Sequence, residues 1–205
     1  MIKFFVFAFI YLLINLYSNY FLINESHYYR FYGIQLTQLQ IERLILRNNQ
    51  YEWLSYFFIP IFYFTKISLI NLSLYVGGLL SLDNRMTLKN IGSSVVLADS
   101  VFLIPSFIKV VWFSFQPDYT LEDLQYFMPG SLLNLFNPKE IEPWLVYPLQ
   151  SINIWEVAFW FALAYELKGY FQEDYTKSFS TVMASYGSGF LIWVVFVVFL
   201  TLNFS

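Results

Sequence analysis

Long apolar segments constrain this chain more than any other feature. A transmembrane helix needs about 20 consecutive, mostly apolar residues, and the sequence holds several such segments, among them the stretch from Ile91 to Phe115. Only 12% of the 205 residues are charged, about half the share of a typical soluble domain. The sequence therefore predicts an all-α fold, a polytopic transmembrane helical bundle of about five spans with short interfacial helices.

Two long connections separate the predicted spans within a single integral membrane domain. The spans are residues 4–23, 57–82, 91–115, 152–169 and 178–202. We expect the first to be retained, because no small-x-small cleavage site follows its apolar core. The connection at 34–47 has an amphipathic pattern that suits the membrane surface or a partner groove. Prolines and apolar patches in the loop 116–147 predict short interfacial helices.

Composition argues against several classes of function. The net charge is −3, and the sequence has no Lys/Arg-rich run, so nucleic acid is not an expected partner. The chain has no cysteine and a single histidine, His27, without a spaced cluster of metal ligands, so we expect no cofactor. No nucleophile, phosphate-loop or dinucleotide motif is present, and we do not expect an enzyme. The predicted location is a bacterial inner membrane, with membrane lipids as partners.

Asp99 is a carboxylate inside the third predicted span. It lies about 12 Å along its helix from Ile91, and a buried membrane charge costs at least about 2.5 kcal/mol unless it finds a partner. If the second and third spans form an antiparallel hairpin, the candidates to hydrogen-bond Asp99 are Asn71, Ser73 and Tyr75. Asp99 could serve as structural glue, as a polar ligand or ion site, or as an interfacial group.

Lys66 and Lys109 are predicted to lie together near one membrane interface. Lys109 is ten residues, or about 15 Å, from Asp99 on the same helix, so these two cannot pair. Both lysines are long enough to extend their ammonium groups to the headgroups as interface anchors. The alternative is that they bind a lipid phosphate.

Asn153 and Glu156 have the spacing of a helix cap. In the sequence "NIWE" they fit the N-cap and third helical positions of a capping box, where a carboxylate also meets the positive end of the helix dipole. The helix would then run from near Ile154 to near Gly169. A functional acid at Glu156 is the alternative.

The linker helix at 34–47 could also hold a partner protein. Its exposed candidates combine apolar and basic side chains, namely Leu36, Leu39, Leu44, Arg43 and Arg47. Such a face fits either lipid or a docking groove.

The order of these features resembles the Yip family, five-helix membrane proteins named for interacting with Ypt/Rab GTPases. The matching positions are a diglycine and a basic turn between two spans, and a short motif that opens the penultimate helix: Gly77, Gly78, Lys89, Ser151, Ile152, Ile154 and Trp155. The resemblance covers roughly residues 57–202 and implies a five-helix fold with a cytosolic N-terminus. The 34–47 linker departs from the family pattern.

Two functions remain open on the sequence. The first is a non-enzymatic accessory or scaffold subunit that packs against a larger membrane protein complex, which would suit a small chain without a catalytic constellation. The alternative is a small permease, channel or lipid-binding protein that uses Asp99, Asn71, Lys66 and Lys109.

Overall fold

The computed structural model describes residues 2–80, 86–138 and 140–204, and these residues are almost entirely helical. This confirms the predicted all-α class. The first half of the chain forms five helices: α1 (Ile2–Tyr17), α2 (Glu25–Tyr32), α3 (Gln38–Leu80), α4 (Leu88–Asp99) and α5 (Leu103–Phe115). A π-helical turn extends α1 to Leu22, and a 3₁₀ turn joins α4 to α5.

The second half begins with short helices and ends with a long one. Its elements are α6 (Leu121–Tyr126), α7 (Pro143–Ser151), α8 (Ile154–Leu167), α9 (Tyr175–Val182) and α10 (Ser188–Phe204). A π-helical turn, Met183–Gly187, makes α9 and α10 one continuous helix. Helix α6 lies within the loop 116–147, where the sequence predicts short helices, and α7 begins there but continues to Ser151.

Four helices in the described part of the chain are long and apolar enough to cross a membrane. They are Ile2–Leu22, Gln38–Leu80, Leu88–Phe115 and Tyr175–Phe204. They contain the spans predicted at 4–23, 57–82, 91–115 and 178–202 almost completely; residues 81 and 82 lie outside the described residues. The fifth predicted span, 152–169, corresponds to α8, whose 14 residues reach only about 21 Å.

The linker helix and the second span are not separate elements. They form the single 43-residue helix α3, which continues through Pro60 without ending. Ile41 and Ile45 are buried near its start, one turn apart, and this end of α3 packs against α2. Residues 38–47 of the predicted amphipathic helix are therefore the first part of α3, whereas residues 34–37 lie in the turn before it.

The helix α8 lies at the centre of the bundle. Phe159, Leu163 and Leu167 are fully buried there, and α8 packs against both α4 and α9. The ring centroids of Phe159 and Phe102 lie 5.1 Å apart. Near the other end of α8, Oγ of Ser94 donates a hydrogen bond of 3.5 Å to the carbonyl oxygen of Glu166. These contacts make α8 antiparallel to α4.

The N-terminus of α8 lies inside the bundle instead of at its edge. The helix begins at Ile154, less than two turns before Phe159, whereas the neighbouring α5 continues to Phe115. The chain therefore enters α8 partway along the bundle. This arrangement leaves space beside α5 and α10, and that space is the cavity described below.

Candidate functional site

Asp99 belongs to a buried polar cluster that joins three helices. Its side chain has no exposed surface, and its Oδ1 lies 2.6 Å from Nζ of Lys66 on α3. Tyr11 on α1 donates a hydrogen bond of 3.3 Å to Oδ2. The ammonium group of Lys66 also lies 4.2 Å from the centre of the Phe102 ring. Asp99 thus connects the first three membrane helices.

The sequence prediction gave Asp99 the wrong partners. Asn71 instead donates to the carbonyl oxygen of Leu88 at 2.8 Å, and Ser73 donates to that of Ser185 at 2.9 Å. Tyr75 is half-buried against the apolar core. These three residues do not bond to Asp99, although Asn71 and Ser73 do link helices.

Lys66 is the partner of Asp99 that the hairpin prediction missed. An antiparallel hairpin of straight second and third spans places residues 71–75 at the depth of Asp99. A lysine side chain covers several residues of depth along a helix, and α1 contributes Tyr11, which a two-helix hairpin omits. Lys66 therefore forms an ion pair with Asp99.

A cavity of about 900 Å³ lies beside this cluster. Its wall comes from α3, the α4–α5 helix, the loop after α6, α7, the start of α8, and α10. Most of the wall is apolar. The side chains that bring polar atoms to it are Thr65, Lys66, Ser73, Ser106, Lys109, Gln125, Tyr147, Gln150, Ser151, Asn153, Glu156, Tyr186 and Trp193. Small-molecule sites have volumes of about 300–1,000 Å³ and a similar balance of apolar and polar groups.

Lys66 and Lys109 line the same cavity, so the structure brings the two predicted lysines together. Their surroundings differ. Lys66 is paired with Asp99, whereas Lys109 has no acidic partner and no hydrogen bond among residues 2–80, 86–138 and 140–204. Lys109 is half-buried on α5, and its positive charge is therefore uncompensated within the described chain.

Glu156 lies in the first turn of α8, as predicted, but its carboxylate makes hydrogen bonds that the spacing did not predict. The side chain of Asn153 accepts a hydrogen bond of 2.8 Å from the backbone N–H of Glu156, which is the N-cap contact. The carboxylate of Glu156 does not complete a capping box. Its Oε1 instead accepts hydrogen bonds from Nε1 of Trp160 at 2.8 Å and from the hydroxyl of Tyr186 at 2.7 Å.

The predicted docking face lies at the start of α3, away from the cavity. Leu39, Arg43 and Arg47 are exposed, and Leu36 and Leu44 are partly buried. All of these except Leu39 line a shallow groove together with Gln40. The two buried isoleucines of this part of α3, Ile41 and Ile45, do not line this groove.

The residues that sequence reasoning missed are Tyr11, Tyr186 and Trp160. An aromatic residue in an apolar helix carries no sequence signal that separates a lipid-facing ring from a buried hydrogen-bond donor.

Comparison of the chain with protein-family models, with curated proteins and with solved structures finds no match.

Proposed function

We propose that this protein is a lipid-binding membrane protein, which holds one amphiphile with a phosphate or carboxylate in its headgroup in the cavity between α3, α5 and α10. Catalysis is not part of the proposal. Of the two functions that the sequence left open, this one has the more direct support, because a single cavity joins Lys66 and Lys109. A bacterial inner membrane location and the resemblance to the Yip family remain predictions.

The observation that carries the proposal is the uncompensated charge of Lys109. An ammonium group in an apolar surrounding is costly unless an anion or several acceptors meet it. Lys66 already has Asp99 at 2.6 Å, while Lys109 has no such partner in the described chain. A phosphate or carboxylate at Lys109 would supply the missing charge.

The apolar wall supports an amphiphile over a small free anion. Phe62, Leu69, Phe190, Ile192 and Phe196 line the cavity on α3 and α10, and a hydrated anion gains nothing from such a surface. Acyl chains can cover this surface without a dehydration cost, because they come from a bilayer that is as apolar as the wall. A phosphate or carboxylate with attached acyl chains therefore matches both Lys109 and the apolar side chains of the wall.

Lipid retention by the purified protein tests this proposal. The protein is taken from lipid nanodiscs into mild detergent, and bound lipid is measured by native mass spectrometry. We expect the wild type to retain one phospholipid per chain and Lys109→Gln to retain about tenfold less, since a charge-assisted contact contributes at least about 1.5 kcal/mol.

Lys89→Gln is the matched control. Lys89 is an exposed lysine in the first turn of α4 and does not line the cavity. It should retain lipid as the wild type does. A wild-type protein that carries no specifically bound lipid, or equal losses in the two variants, would contradict the proposal.

A second candidate function is an accessory subunit of a larger membrane complex. The observation that favours it is the groove at the start of α3, where Arg43 and Arg47 are exposed and pair with no acidic group among the described residues. We expect a stoichiometric partner to co-purify in mild detergent and to be lost when both arginines are changed to Glu. A protein that stays alone at every stage of purification would count against it.

A further inference from the structure

The cavity contains an acidic group as well as the uncompensated lysine. Glu156 lines the cavity near the start of α8, and only 9% of the residue is exposed. Trp160 and Tyr186 both donate to Oε1, which holds the carboxylate in one orientation. Its position is thus fixed by the bundle and does not depend on a ligand.

The second carboxylate oxygen of Glu156 has no partner. No hydrogen bond to Oε2 and no ion pair of Glu156 occurs within residues 2–80, 86–138 and 140–204. Oε2 is not among the described polar atoms that are buried and unsatisfied, so it retains contact with the cavity space. Oε2 therefore presents a negatively charged hydrogen-bond acceptor to the cavity.

Glu156 and Lys109 do not neutralise each other. They line one cavity, but no ion pair joins them in the described chain. Lys66, the other cation of the cavity, is held by Asp99. A ligand that brings a cation to Glu156 and an anion to Lys109 would give each of these two groups a partner.

We propose that the cavity is selective for a zwitterionic phospholipid with a primary ammonium group, whose ammonium binds Oε2 of Glu156 while its phosphate binds Lys109. This inference rests on the proposed function, because it names the headgroup of the lipid that the cavity would hold. Anionic phospholipids without an ammonium group satisfy Lys109 alone and leave Oε2 unpaired.

The choice of a primary over a quaternary ammonium follows from hydrogen bonding. Oε2 is an acceptor that lacks a donor, and a primary ammonium provides N–H donors. A quaternary ammonium provides none and relies on aromatic faces instead. Charge-assisted N–H···O⁻ bonds are about twice as strong as neutral ones, so each N-methyl group added to the headgroup should weaken binding.

Headgroup competition in the wild-type protein tests the inference without a mutation. The protein is placed in nanodiscs with equal amounts of phosphatidylethanolamine, phosphatidylcholine and phosphatidylglycerol of matched chains, and retained lipid is measured by native mass spectrometry. We expect about tenfold more phosphatidylethanolamine than either competitor, the ratio for one hydrogen bond to a charged group. Mono- and dimethylated ethanolamine lipids should fall between.

Glu156→Gln assigns the preference to one group. Glutamine keeps an oxygen that can accept from Trp160 and Tyr186, and it replaces Oε2 with a donor that opposes an ammonium. We expect this variant to lose the phosphatidylethanolamine preference while it still retains lipid. Glu166→Gln, on the same helix but outside the cavity wall, should keep the preference.

The outcomes separate the two proposals. Lipid retention without an ethanolamine preference, or a preference that Glu156→Gln leaves unchanged, overturns the headgroup assignment and leaves lipid binding standing. A wild-type protein that retains no lipid overturns both. If Glu156→Gln does not fold, the methylation series in the wild type decides: equal retention of all members contradicts the inference, and a stepwise loss supports it.

Discussion

Lys66 and Lys109 line the same cavity but have opposite environments. Lys66 has a fully buried carboxylate 2.6 Å away and an aromatic ring beneath its ammonium. Lys109 has neither an ion pair nor a hydrogen bond with another described residue. The two environments indicate two roles for intramembrane charges. Charges with partners inside the bundle stabilise the fold, and charges without partners are candidates for binding a ligand.

Both lysines looked the same in the sequence. Each is a single basic residue in an apolar span, and each was predicted to reach the membrane interface. Only the third dimension separates them, because the partner of Lys66 is 33 residues away in the chain.

Lys66→Met should have the largest effect. The change removes the cation but leaves Asp99, which has no exposed surface, as a buried unpaired charge. Breaking a buried pair in this way costs about 3–5 kcal/mol. We expect a loss of this size in the free energy of unfolding, measured in mixed detergent micelles.

The double variant Lys66→Met with Asp99→Asn is the control for that loss. Removing both charges eliminates the unpaired group, so stability should recover in large part. A double variant as unstable as Lys66→Met alone would show that packing, and not charge, accounts for the effect.

Asp99→Asn alone should cost less than Lys66→Met. The lysine side chain is 43% exposed and lines the cavity, so its ammonium can still be hydrated when Asp99 loses its charge, and asparagine can still accept from Tyr11. We expect a loss of about 1–2 kcal/mol by the same unfolding measurement. Equal losses in the two single variants would show that the different exposure of the Lys66 and Asp99 side chains does not affect stability.

Ser106→Glu should give Lys109 a carboxylate partner, as Lys66 already has. Ser106 lies three residues before Lys109 on α5 and also lines the cavity, and side chains at this spacing are neighbours on a helix. The new carboxylate would pair with Lys109, and lipid retention should fall towards that of Lys109→Gln. Ser106→Gln, which has similar size and no charge, should retain lipid; equal losses in both would indicate simple obstruction.

The smallest expected effect lies at His27, outside the membrane helices. Burial, and then the nearby Arg30, lower the pKa of His27 below its ordinary value of 6.5. The unfolded chain therefore takes up a proton first as the pH falls through that value, so stability is complete above it and is lost progressively below it. We expect a modest decrease in the thermal midpoint between about pH 7 and 5.

His27→Gln should make the midpoint less dependent on pH. The ring of His27 stacks on Tyr119 with centroids 4.6 Å apart, and its Nδ1 accepts a hydrogen bond from the backbone of Asn24. Glutamine at this third helical position can also accept that bond but does not titrate. An unchanged pH profile in the variant would place the acid sensitivity elsewhere.

The helical fold was predictable because lipid requires it. Backbone groups in a bilayer must pair within their own segment, so apolar length alone located three of the four long apolar helices to within a few residues, whereas α3 begins at Gln38, well before the span predicted at 57–82. The cap at Asn153 was predictable for a similar reason, since it depends on sequence neighbours only. Neither the helix positions nor the cap requires knowledge of which helices contact each other.

The contacts of the candidate site depend on packing and were mostly not predictable. Asp99 was identified as the unusual group, but its partners Lys66 and Tyr11 lie on helices whose tilt and order the sequence does not encode locally. Glu156 was assigned to a cap because Asn153 precedes it, while its carboxylate bonds to Tyr186, 30 residues away. The cavity itself exists because α8 begins inside the bundle, and no local pattern indicates that.

The position of α8 has a consequence for how the protein is made. A helix of 14 residues with an acidic residue in its first turn is a poor substrate for independent insertion into a bilayer. It gains its place only when α4 flanks it and when Ser178 and Tyr186 arrive to bond with Ala164 and Glu156. Biogenesis would therefore be sequential: the helix formed by α9 and α10, which follows α8 in the chain, must enter the membrane before α8 can settle.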